Sequence, residues 1–186
     1  MIPDEDFIKN KDVPGPTKEE IRCLVMCKSR VSEDDIVVDV GCGTGGLTVE
    51  FAKKAKMVYA VDKNPDALKL TEKNLRKHEL RKKVELIEGE ALAVLDRIPN
   101  FDILMVGGSS GDLPSIIKKG YKKLKDNGSI VITAILLETP FEAIKTIKDL
   151  GMVPDVVDVS ISKGRIIKRG TMMLARNPVA IISARK

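Results

Sequence analysis

Short runs rich in Val and Ile alternate with longer segments of helical period through most of this chain. Apolar runs of this kind are typical of strands that are buried on both faces, as in a parallel sheet. The segments between them are long enough to form helices that connect parallel strands and cover the sheet. The alternation therefore predicts an α/β fold in which a mostly parallel sheet carries helices on both faces.

Five strands and five helices follow from this pattern. The strands are predicted at residues 36–40, 57–62, 84–88, 102–106 and 129–133. Four helices are predicted at residues 47–55, 65–78, 113–124 and 141–150, with prolines near two starts and a glycine after the last end. An earlier helix is predicted from Thr17 to about Lys28, because Thr17 precedes Glu20 by three residues, which is the spacing of a capping box.

The C-terminal part of the chain changes character after Gly151. Two strand-like runs, at residues 156–161 and 179–183, are joined by a basic segment that contains Gly164 and Gly170. We expect the two runs to close the sheet as an antiparallel pair, which makes seven strands in total. A length of 186 residues without an interdomain linker predicts a single domain that spans residues 1–186.

Composition narrows the class of protein. A hydrophobic fraction of 43% beside a charged fraction of 32% is typical of a globular chain and not of a disordered one. No apolar stretch reaches eighteen residues, and the first residues are acidic, so neither a membrane span nor a secretory signal is expected. Three cysteines cannot form a complete disulfide framework, so a reducing cytoplasm is the expected location.

Positive charge is concentrated near the C-terminus. The net charge is +5, and no acidic residue follows Asp158. The basic residues after that point are Lys163, Arg165, Lys168, Arg169, Arg176, Arg185 and Lys186. This segment is expected to attract an anion, but its charge does not distinguish between nucleic acid and a small polycarboxylate as the binding partner.

A glycine-rich loop, Gly41-Cys42-Gly43-Thr44-Gly45-Gly46, lies directly between a predicted buried strand and a predicted helix. Glycine allows unusual backbone angles and close approach of a ligand, and the start of a helix offers free N–H groups to an anion. The spacing Gly41-x-Gly43-x-x-Gly46 also fits the dinucleotide fingerprint. The glycines therefore leave both a nicotinamide dinucleotide and S-adenosylmethionine open.

Acidic residues around this loop favour S-adenosylmethionine. Asp39, two residues before the first glycine, could meet the positive amino group of a methionine moiety, whereas it would repel a pyrophosphate. Asp62 ends the second predicted strand, where an acidic residue accepts hydrogen bonds from ribose hydroxyls in either kind of site. Glu90 and Ala91 follow the third strand, and we expect them beside an adenine ring.

The segments Asp39-Val40-Gly41-Cys42-Gly43-Thr44-Gly45 and Asp62-Lys63-Asn64-Pro65 resemble those of class I S-adenosylmethionine-dependent methyltransferases. Further segments narrow the resemblance to the decarboxylating precorrin methyltransferases of cobalamin biosynthesis. These segments are residues 2–7, 14–17, 107–109, 133–138, 169–173 and 176–179. The resemblance covers nearly the whole chain and is more specific than the glycine loop alone.

The resemblance implies a substrate, an assembly and a set of cofactor contacts. The reaction would be methylation of cobalt-precorrin-6B at C15 with loss of carbon dioxide from the ring C acetate, giving cobalt-precorrin-7. The assembly would be a homotetramer that takes a tetrapyrrole and does not bind nucleic acid or membrane. Residues 1–30 would contribute to the cofactor pocket. The implied cofactor residues are Thr17, Gly41, Cys42, Gly43, Thr44, Gly45, Asp62 and Ala91.

Candidate residues for the substrate lie in two other places. Gly107, Gly108 and Ser109 follow the fourth predicted strand, and we expect them near the reacting centre, where a flat macrocycle could approach closely. The many carboxylates of a corrinoid precursor could form charge-assisted hydrogen bonds. The candidates for these bonds are Arg165, Lys168, Arg169 and Arg176. No general acid or base is evident, and no metal site is predicted.

Three other functions remain open on the sequence. A basic tail is compatible with an RNA methyltransferase, although aromatic residues for base stacking make up only 3% of the chain. The glycine spacing is compatible with an NAD-dependent oxidoreductase. A binding module without catalysis is the third alternative. An assay of methyl transfer, together with binding titrations with each cofactor, discriminates among these hypotheses.

Overall fold

A computed structural model describes all residues from Met1 to Lys186. Its nine strands are β1 (Ile36–Val40), β2 (Met57–Asp62), β3 (Val84–Glu88), β4 (Phe101–Val106), β5 (Leu124–Ala134), β6 (Asp155–Val159), β7 (Ser162–Ile167), β8 (Gly170–Ala175) and β9 (Val179–Arg185). Its six helices are α1 (Glu19–Ser29), α2 (Gly46–Lys54), α3 (Pro65–Lys77), α4 (Ala91–Leu95), α5 (Leu113–Lys123) and α6 (Glu138–Asp149).

Seven strands form the main sheet, in the order β3-β2-β1-β4-β5-β9-β6. Strands β1 to β5 are parallel, whereas β9 runs antiparallel to both β5 and β6. The predicted seven-stranded sheet with an antiparallel closing pair is therefore confirmed. The strand order reverses between β1 and β4, and in open α/β sheets ligands bind at the carboxyl ends of the strands beside such a reversal.

Helices cover both faces of this sheet, as predicted. Side chains of α1, α2 and α3 pack on one face in a core that includes Val25, Phe51 and Leu75. Side chains of α4, α5 and α6 pack on the other face. Burial on both faces explains why β1 and β4 are apolar almost throughout. None of the helices combines the length and the apolar character that a membrane span requires.

The predicted start of the first helix is wrong. Helix α1 begins at Glu19 with Lys18 at the N-cap, and the free N–H of Glu19 is bound by the Asp4 carboxylate at 2.9 Å rather than by the N-cap side chain. Arg22 donates instead to the carbonyl of Thr17, and the carboxylate of Glu20 accepts a hydrogen bond from Arg176 at 2.6 Å. The capping box does not form, because Arg176 binds the Glu20 carboxylate and Asp4, instead of Thr17, binds an N–H group of the first turn.

The N-terminal strap, which we define as residues 1–18, is fixed by a buried ion network. Arg22 is fully buried and pairs with Asp4 at 2.8 Å and with Glu50 at 3.6 Å. Its guanidinium also lies 4.7 Å from the centre of the Phe7 ring and donates to the carbonyl of Ile2. Arg22 of α1 thus holds the strap against α2, together with Glu50, which accepts the N–H of Ile2 at 2.7 Å.

Two further differences from the sequence prediction concern local elements. Helix α4 was not predicted, because its five residues are too few to show a helical period. Strand β5 begins at Leu124, five residues earlier than predicted, and its register with β4 shifts between Phe101 and Ile103. The irregular part of β5 contains Asn127 and Gly128, which sequence reasoning takes for a turn.

The basic segment between the two closing strands is itself a hairpin. Strands β7 and β8 pair antiparallel in a separate two-stranded sheet, and every one of their residues is exposed. We refer to residues 162–175 as the hairpin. The sequence predicts only a connection here, because glycine and basic residues obscure the strand pattern.

Candidate active site

The loop after β1 is shaped by glycines and by close contact with the loop after β4. Gly41, Gly43 and Gly45 all have positive φ angles, of 72°, 56° and 83°. A Cβ atom on Gly41 would lie 2.6 Å from the backbone nitrogen of Gly108. Only glycine fits both the backbone conformation and the space at position 41. The two loops that were predicted to carry cofactor and substrate therefore touch.

Two polar side chains of α3 fix the carbonyl groups of the first loop. Thr71 donates to the carbonyl of Gly43 at 2.7 Å, and Asn74 donates to the carbonyl of Thr44 at 2.9 Å. A Cβ atom on Gly45 would lie 2.8 Å from the Thr71 side chain, so this glycine permits close packing of the loop on α3. The loop is consequently ordered by the protein itself.

Asp62, at the end of β2, joins the loop to the neighbouring strand. One carboxylate oxygen accepts the N–H of Gly43 at 2.9 Å, and the other accepts the N–H of Asn64 at 2.9 Å. Each carboxylate oxygen can accept a second hydrogen bond, and Asp62 is only half-buried. The side chain is therefore held in place with acceptor capacity left for hydroxyl groups.

Asp39 is a buried carboxyl beneath the same loop. It accepts a hydrogen bond of 2.6 Å from Thr48 and is 1% exposed. Burial raises the pKa of Asp39 to about 6, the Asp62 charge adds to the rise, and the Thr48 hydrogen bond opposes it. A positive group bound beside Asp39 would stabilise the carboxylate and lower this pKa.

Cys42 lies in the loop but is not a nucleophile. Its thiol is buried, and burial raises its pKa well above the usual value, with the charges of Asp39 and Asp62 acting in the same direction. A thiol rather than a thiolate is present at neutral pH, and the thiolate is the reactive form. The sequence interpretation of Cys42 as a small loop residue agrees with this environment.

The N-terminal strap crosses the loop from the other side. Thr44 donates to the carbonyl of Pro14, and a Cβ atom on Gly46 would lie 3.0 Å from the Cβ of Pro16. Residues 13–18 of the strap line the same cleft as the loop. The strap thus forms one wall of the site.

A cleft of about 1090 Å³ lies at this edge of the sheet. Sites for one small ligand are typically ~300–1,000 Å³, so the cleft has room for a cofactor and part of a second molecule. Most of the predicted site residues line it. They are Thr17, Asp39, Gly41, Cys42, Gly43, Thr44, Asp62, Glu90, Ala91, Gly107, Gly108, Ser109 and Arg176. Gly45 does not line the cleft and packs on α3 instead.

The remaining cationic candidates lie elsewhere. Arg165 is in β7, and Lys168 and Arg169 form the turn of the exposed hairpin, so none of the three lines the cleft of its own chain. Arg176 does line it, but its guanidinium pairs with Glu20 at 2.6 Å and approaches Asp4 at 3.9 Å. The structure therefore brings the residues predicted to bind the cofactor together in the cleft. Of the four basic residues predicted to bind substrate, only Arg176 lies there.

Several lining residues were missed by sequence reasoning. The cleft is also bordered by Lys18, Ile135, Leu136, Glu138 and Glu142. Residues 135–138 form the connection between β5 and α6, directly after the carboxyl end of a parallel strand. That position, together with two exposed aliphatic residues in a loop, is the signal that could have identified them.

The fold and the site together define a class I methyltransferase. The sheet is doubly wound, a glycine loop follows β1, a half-buried acidic residue ends β2, and a cleft lies where the strand order reverses. The model of the precorrin methyltransferase domain family matches residues 11–186. The chain belongs to this family.

Full-length relatives and solved structures agree with this membership. A protein of Methanothermobacter thermautotrophicus, named "probable cobalt-precorrin-6B C(15)-methyltransferase (decarboxylating)", is 52% identical over 98% of this chain and 95% of its own length. The structure of a precorrin-8W decarboxylase from Methanobacterium thermoautotrophicum is 51% identical, covers 99% of both chains and has a TM-score of 0.97. A precorrin-6Y C5,15-methyltransferase of Geobacter metallireducens is 32% identical with a TM-score of 0.92, over 100% of this chain and 96% of its own.

Proposed function

We propose that this chain transfers a methyl group from S-adenosylmethionine to C15 of cobalt-precorrin-6B, with decarboxylation of the ring C acetate, to give cobalt-precorrin-7. The observation that carries the proposal is a single cleft in which the Gly41 loop touches the Gly107–Gly108 loop, so that cofactor and substrate meet. The name of the Methanothermobacter relative, which matches along nearly its whole length, supports the choice of substrate.

The residues of the first loop fit S-adenosylmethionine. Asp62 retains acceptor capacity for ribose hydroxyls, and Asp39 offers a buried carboxyl to the amino group of the methionine moiety. Thr17 and the loop from Gly41 to Thr44 would surround that moiety. Glu90 and Ala91, which start α4 at the end of β3, would border the adenine ring.

The same residues count against a dinucleotide. A pyrophosphate seated at the loop would lie beside the charges of Asp39 and Asp62, and like charges close together are unfavourable. The methyl donor instead brings a positive sulfonium and a positive amino group into this acidic environment. We therefore favour S-adenosylmethionine over NAD as the cofactor.

The chemistry required of the protein is mainly alignment. Bound S-adenosylmethionine supplies an electrophilic methyl group whose carbon–sulfur bond breaks as the new bond to C15 forms. The Gly107–Gly108 loop has no side chain, so the macrocycle could approach the methyl group closely. The strap over the first loop would exclude water from the reacting atoms. Carbon dioxide leaves from the substrate, whose conjugated ring can take up the electron pair.

The direct test is incubation of the protein with S-adenosylmethionine and cobalt-precorrin-6B, followed by mass spectrometry. The expected product has gained one methyl group and lost one carbon dioxide. Product without loss of carbon dioxide, or turnover only with RNA, would contradict the proposal. A separate calorimetric titration with S-adenosylmethionine and with NAD identifies the cofactor independently of the substrate.

The role of Asp62 is tested by Asp62→Ala. Loss of the ribose contact should weaken S-adenosylmethionine binding at least tenfold, which corresponds to about 1.4 kcal/mol. Asp66→Ala is the control, because Asp66 is exposed and pairs only with Lys69 on α3. Equal calorimetric affinities for the two variants would remove Asp62 from the proposed site.

We also propose a homo-oligomer, a tetramer by resemblance, in a reducing cytoplasm. The hairpin exposes Ile166 and Met173, which are 87% and 61% accessible, and isolated two-stranded hairpins have little stability of their own. Packing against a second copy would stabilise the hairpin.

In such an assembly, Arg165, Lys168 and Arg169 would contact substrate only in the cleft of a neighbouring copy. Arg165→Ala and Arg169→Ala should raise KM for the macrocycle without changing cofactor affinity.

A further inference from the structure

The basic side chains that line the cleft differ in whether they have a partner. They are Lys18, Lys63 and Arg176. Lys63 lies 3.7 Å from Glu90, and Arg176 lies 2.6 Å from Glu20. Lys18 is exposed, and it forms no ion pair and no side-chain hydrogen bond. It is therefore the cation of the cleft that is free to bind an anionic group.

The start of α6 brings negative charge to the cleft. Glu138 and Glu142 lie one helical turn apart at the start of α6, and both line the cleft. Neither has an ion-pair partner within 4.0 Å. A carboxylate placed beside them would be repelled, whereas one placed beside Lys18 would be attracted. The cleft is thus electrically asymmetric, with an unpaired cation at Lys18 and two unpaired carboxylates at the start of α6.

An apolar surface lies beside this asymmetric region. Ile135 and Leu136 line the cleft, yet 69% of Ile135 and 64% of Leu136 are exposed. We call these two residues the apolar rim. Two adjacent large aliphatic side chains at the mouth of a cleft stabilise a bound ligand that covers them and removes them from water. The apolar rim is continuous with the site that contains Gly107 and Gly108.

From this arrangement we infer that Lys18 and the apolar rim form a substrate subsite for a flat, polyanionic ring. Lys18 binds a carboxylate of a peripheral side chain, and Ile135 and Leu136 pack against the face of the ring. Glu138 and Glu142 repel the remaining carboxylates and so help to fix the orientation of the ring. This inference rests on the proposed function, because it takes the macrocycle of that reaction as the ligand.

A ring ligand explains the apolar rim better than a second copy of the chain. Ile135 and Leu136 line the mouth of a cleft that also contains the cofactor loop, so a protein partner there would obstruct access to the reacting centre. The exposed hydrophobic residues of the hairpin, by contrast, do not line the cleft. We therefore assign the rim to substrate.

Lys18 is tested with the matched pair Lys18→Gln and Lys11→Gln. Both lysines are exposed in the strap without ion pairs, but only Lys18 lines the cleft. KM for cobalt-precorrin-6B should rise about three- to tenfold in Lys18→Gln and remain unchanged in Lys11→Gln. Lys18→Arg should restore most of the loss. Calorimetric affinity for S-adenosylmethionine should be the same in all three variants.

The apolar rim is tested with Leu136→Ser and Leu137→Ser. Leu137 is 90% exposed and does not line the cleft, so it controls for a polar substitution in the same loop. Binding of cobalt-precorrin-6B to protein saturated with S-adenosylhomocysteine should weaken about tenfold in Leu136→Ser only. Sedimentation should show the same assembly for both variants.

These outcomes separate the inference from the proposed function. Absence of a methylated product with the unchanged protein would contradict the function itself. Normal turnover with equal KM values for Lys18→Gln and Lys11→Gln would overturn the role of Lys18. A change in assembly for Leu136→Ser, with unchanged binding of the macrocycle, would overturn the role of the rim and assign it to a second copy.

Discussion

The N-terminal strap and the C-terminal hairpin lie towards opposite ends of the chain, and they contrast in how they are held. The strap buries charged groups, because Arg22 is fully buried beside Asp4 and Glu50. The hairpin does the opposite and exposes every residue of β7 and β8, although several of them are aliphatic.

The contrast shows that side-chain polarity does not by itself decide burial. Arg22 can be buried because two carboxylates balance its charge and its two terminal nitrogens donate to Asp4 and to the carbonyl groups of Thr17 and Ile2, although Nε makes no hydrogen bond. Ile166 is exposed because no other part of its own chain covers the hairpin. The strap is therefore part of the folded domain, whereas the hairpin is available for contact with another molecule.

The largest effect is expected from Arg22→Met, which breaks the network that holds the strap. It leaves two carboxylates without their buried partner, which typically costs about 3–5 kcal/mol, or roughly 10 °C in Tm for a chain of this length. Arg76→Met is the control, because Arg76 pairs with Glu72 at the surface, and such pairs contribute about 0–1 kcal/mol. Equal Tm values for both variants would show that the buried ion pairs of Arg22 stabilise the fold no more than a surface ion pair does.

The next effect concerns the loop that the strap covers, tested with Gly41→Ala and Gly43→Ala. Both glycines have positive φ, and an L-residue in that conformation costs about 1–2 kcal/mol. Only at position 41 would the added Cβ also collide with Gly108, since nothing lies within 4 Å at position 43. Gly41→Ala should therefore lower both Tm and S-adenosylmethionine affinity more than Gly43→Ala does. The reverse order would contradict the close contact between the two loops.

A smaller effect is expected from pH, through the buried carboxyl of Asp39. The pKa of Asp39 is about 6 in the folded chain, above the ordinary value of 3.8. Its contribution to the free energy of unfolding is therefore fully present below pH about 4 and falls as pH rises toward about 6. If the ionised form binds the amino group of the cofactor, calorimetric affinity should increase from about pH 5 to pH 7.

Thr48→Val sharpens this prediction, because it removes the hydrogen bond that lowers the pKa of Asp39. The midpoint of the affinity curve should move to higher pH. Thr146→Val is the control, since Thr146 is buried but donates to a carbonyl in α6. An affinity curve that is flat with pH, or one that moves equally in both variants, would exclude Asp39 as the group responsible.

The smallest effect on the folded domain is expected from Ile166→Ser in the hairpin. Because Ile166 packs on nothing within its own chain, the free energy of unfolding of the separated subunit should change by less than about 0.5 kcal/mol. Assembly, measured by sedimentation, should weaken. A large loss of Tm in dilute protein, where subunits are separated, would show that the hairpin belongs to the domain as the strap does.

Much of the fold and of the cofactor site could be predicted from the sequence, because both depend on local patterns. Parallel strands buried on both faces are apolar throughout, so β1 to β4 were located to within one residue at each end. The positions of Asp39, the glycine loop and Asp62 follow from their place at strand ends. Helix α4 and the beginning of β5 were missed, because the first is too short for a period and the second contains turn-forming residues.

The sequence alone determined the order of the seven strands of the main sheet and of five helices, together with the place of the cofactor loop, since these depend on residues that are close in the chain. Tertiary structure decided which charges are free. Arg176 forms an ion pair with Glu20, which is 156 residues away in the sequence. Arg165 lies in the exposed hairpin and not in the cleft, whereas Lys18 lines the cleft without an ion-pair partner. Contacts between distant residues determine both burial and ion pairing, and neither periodicity nor net charge contains that information.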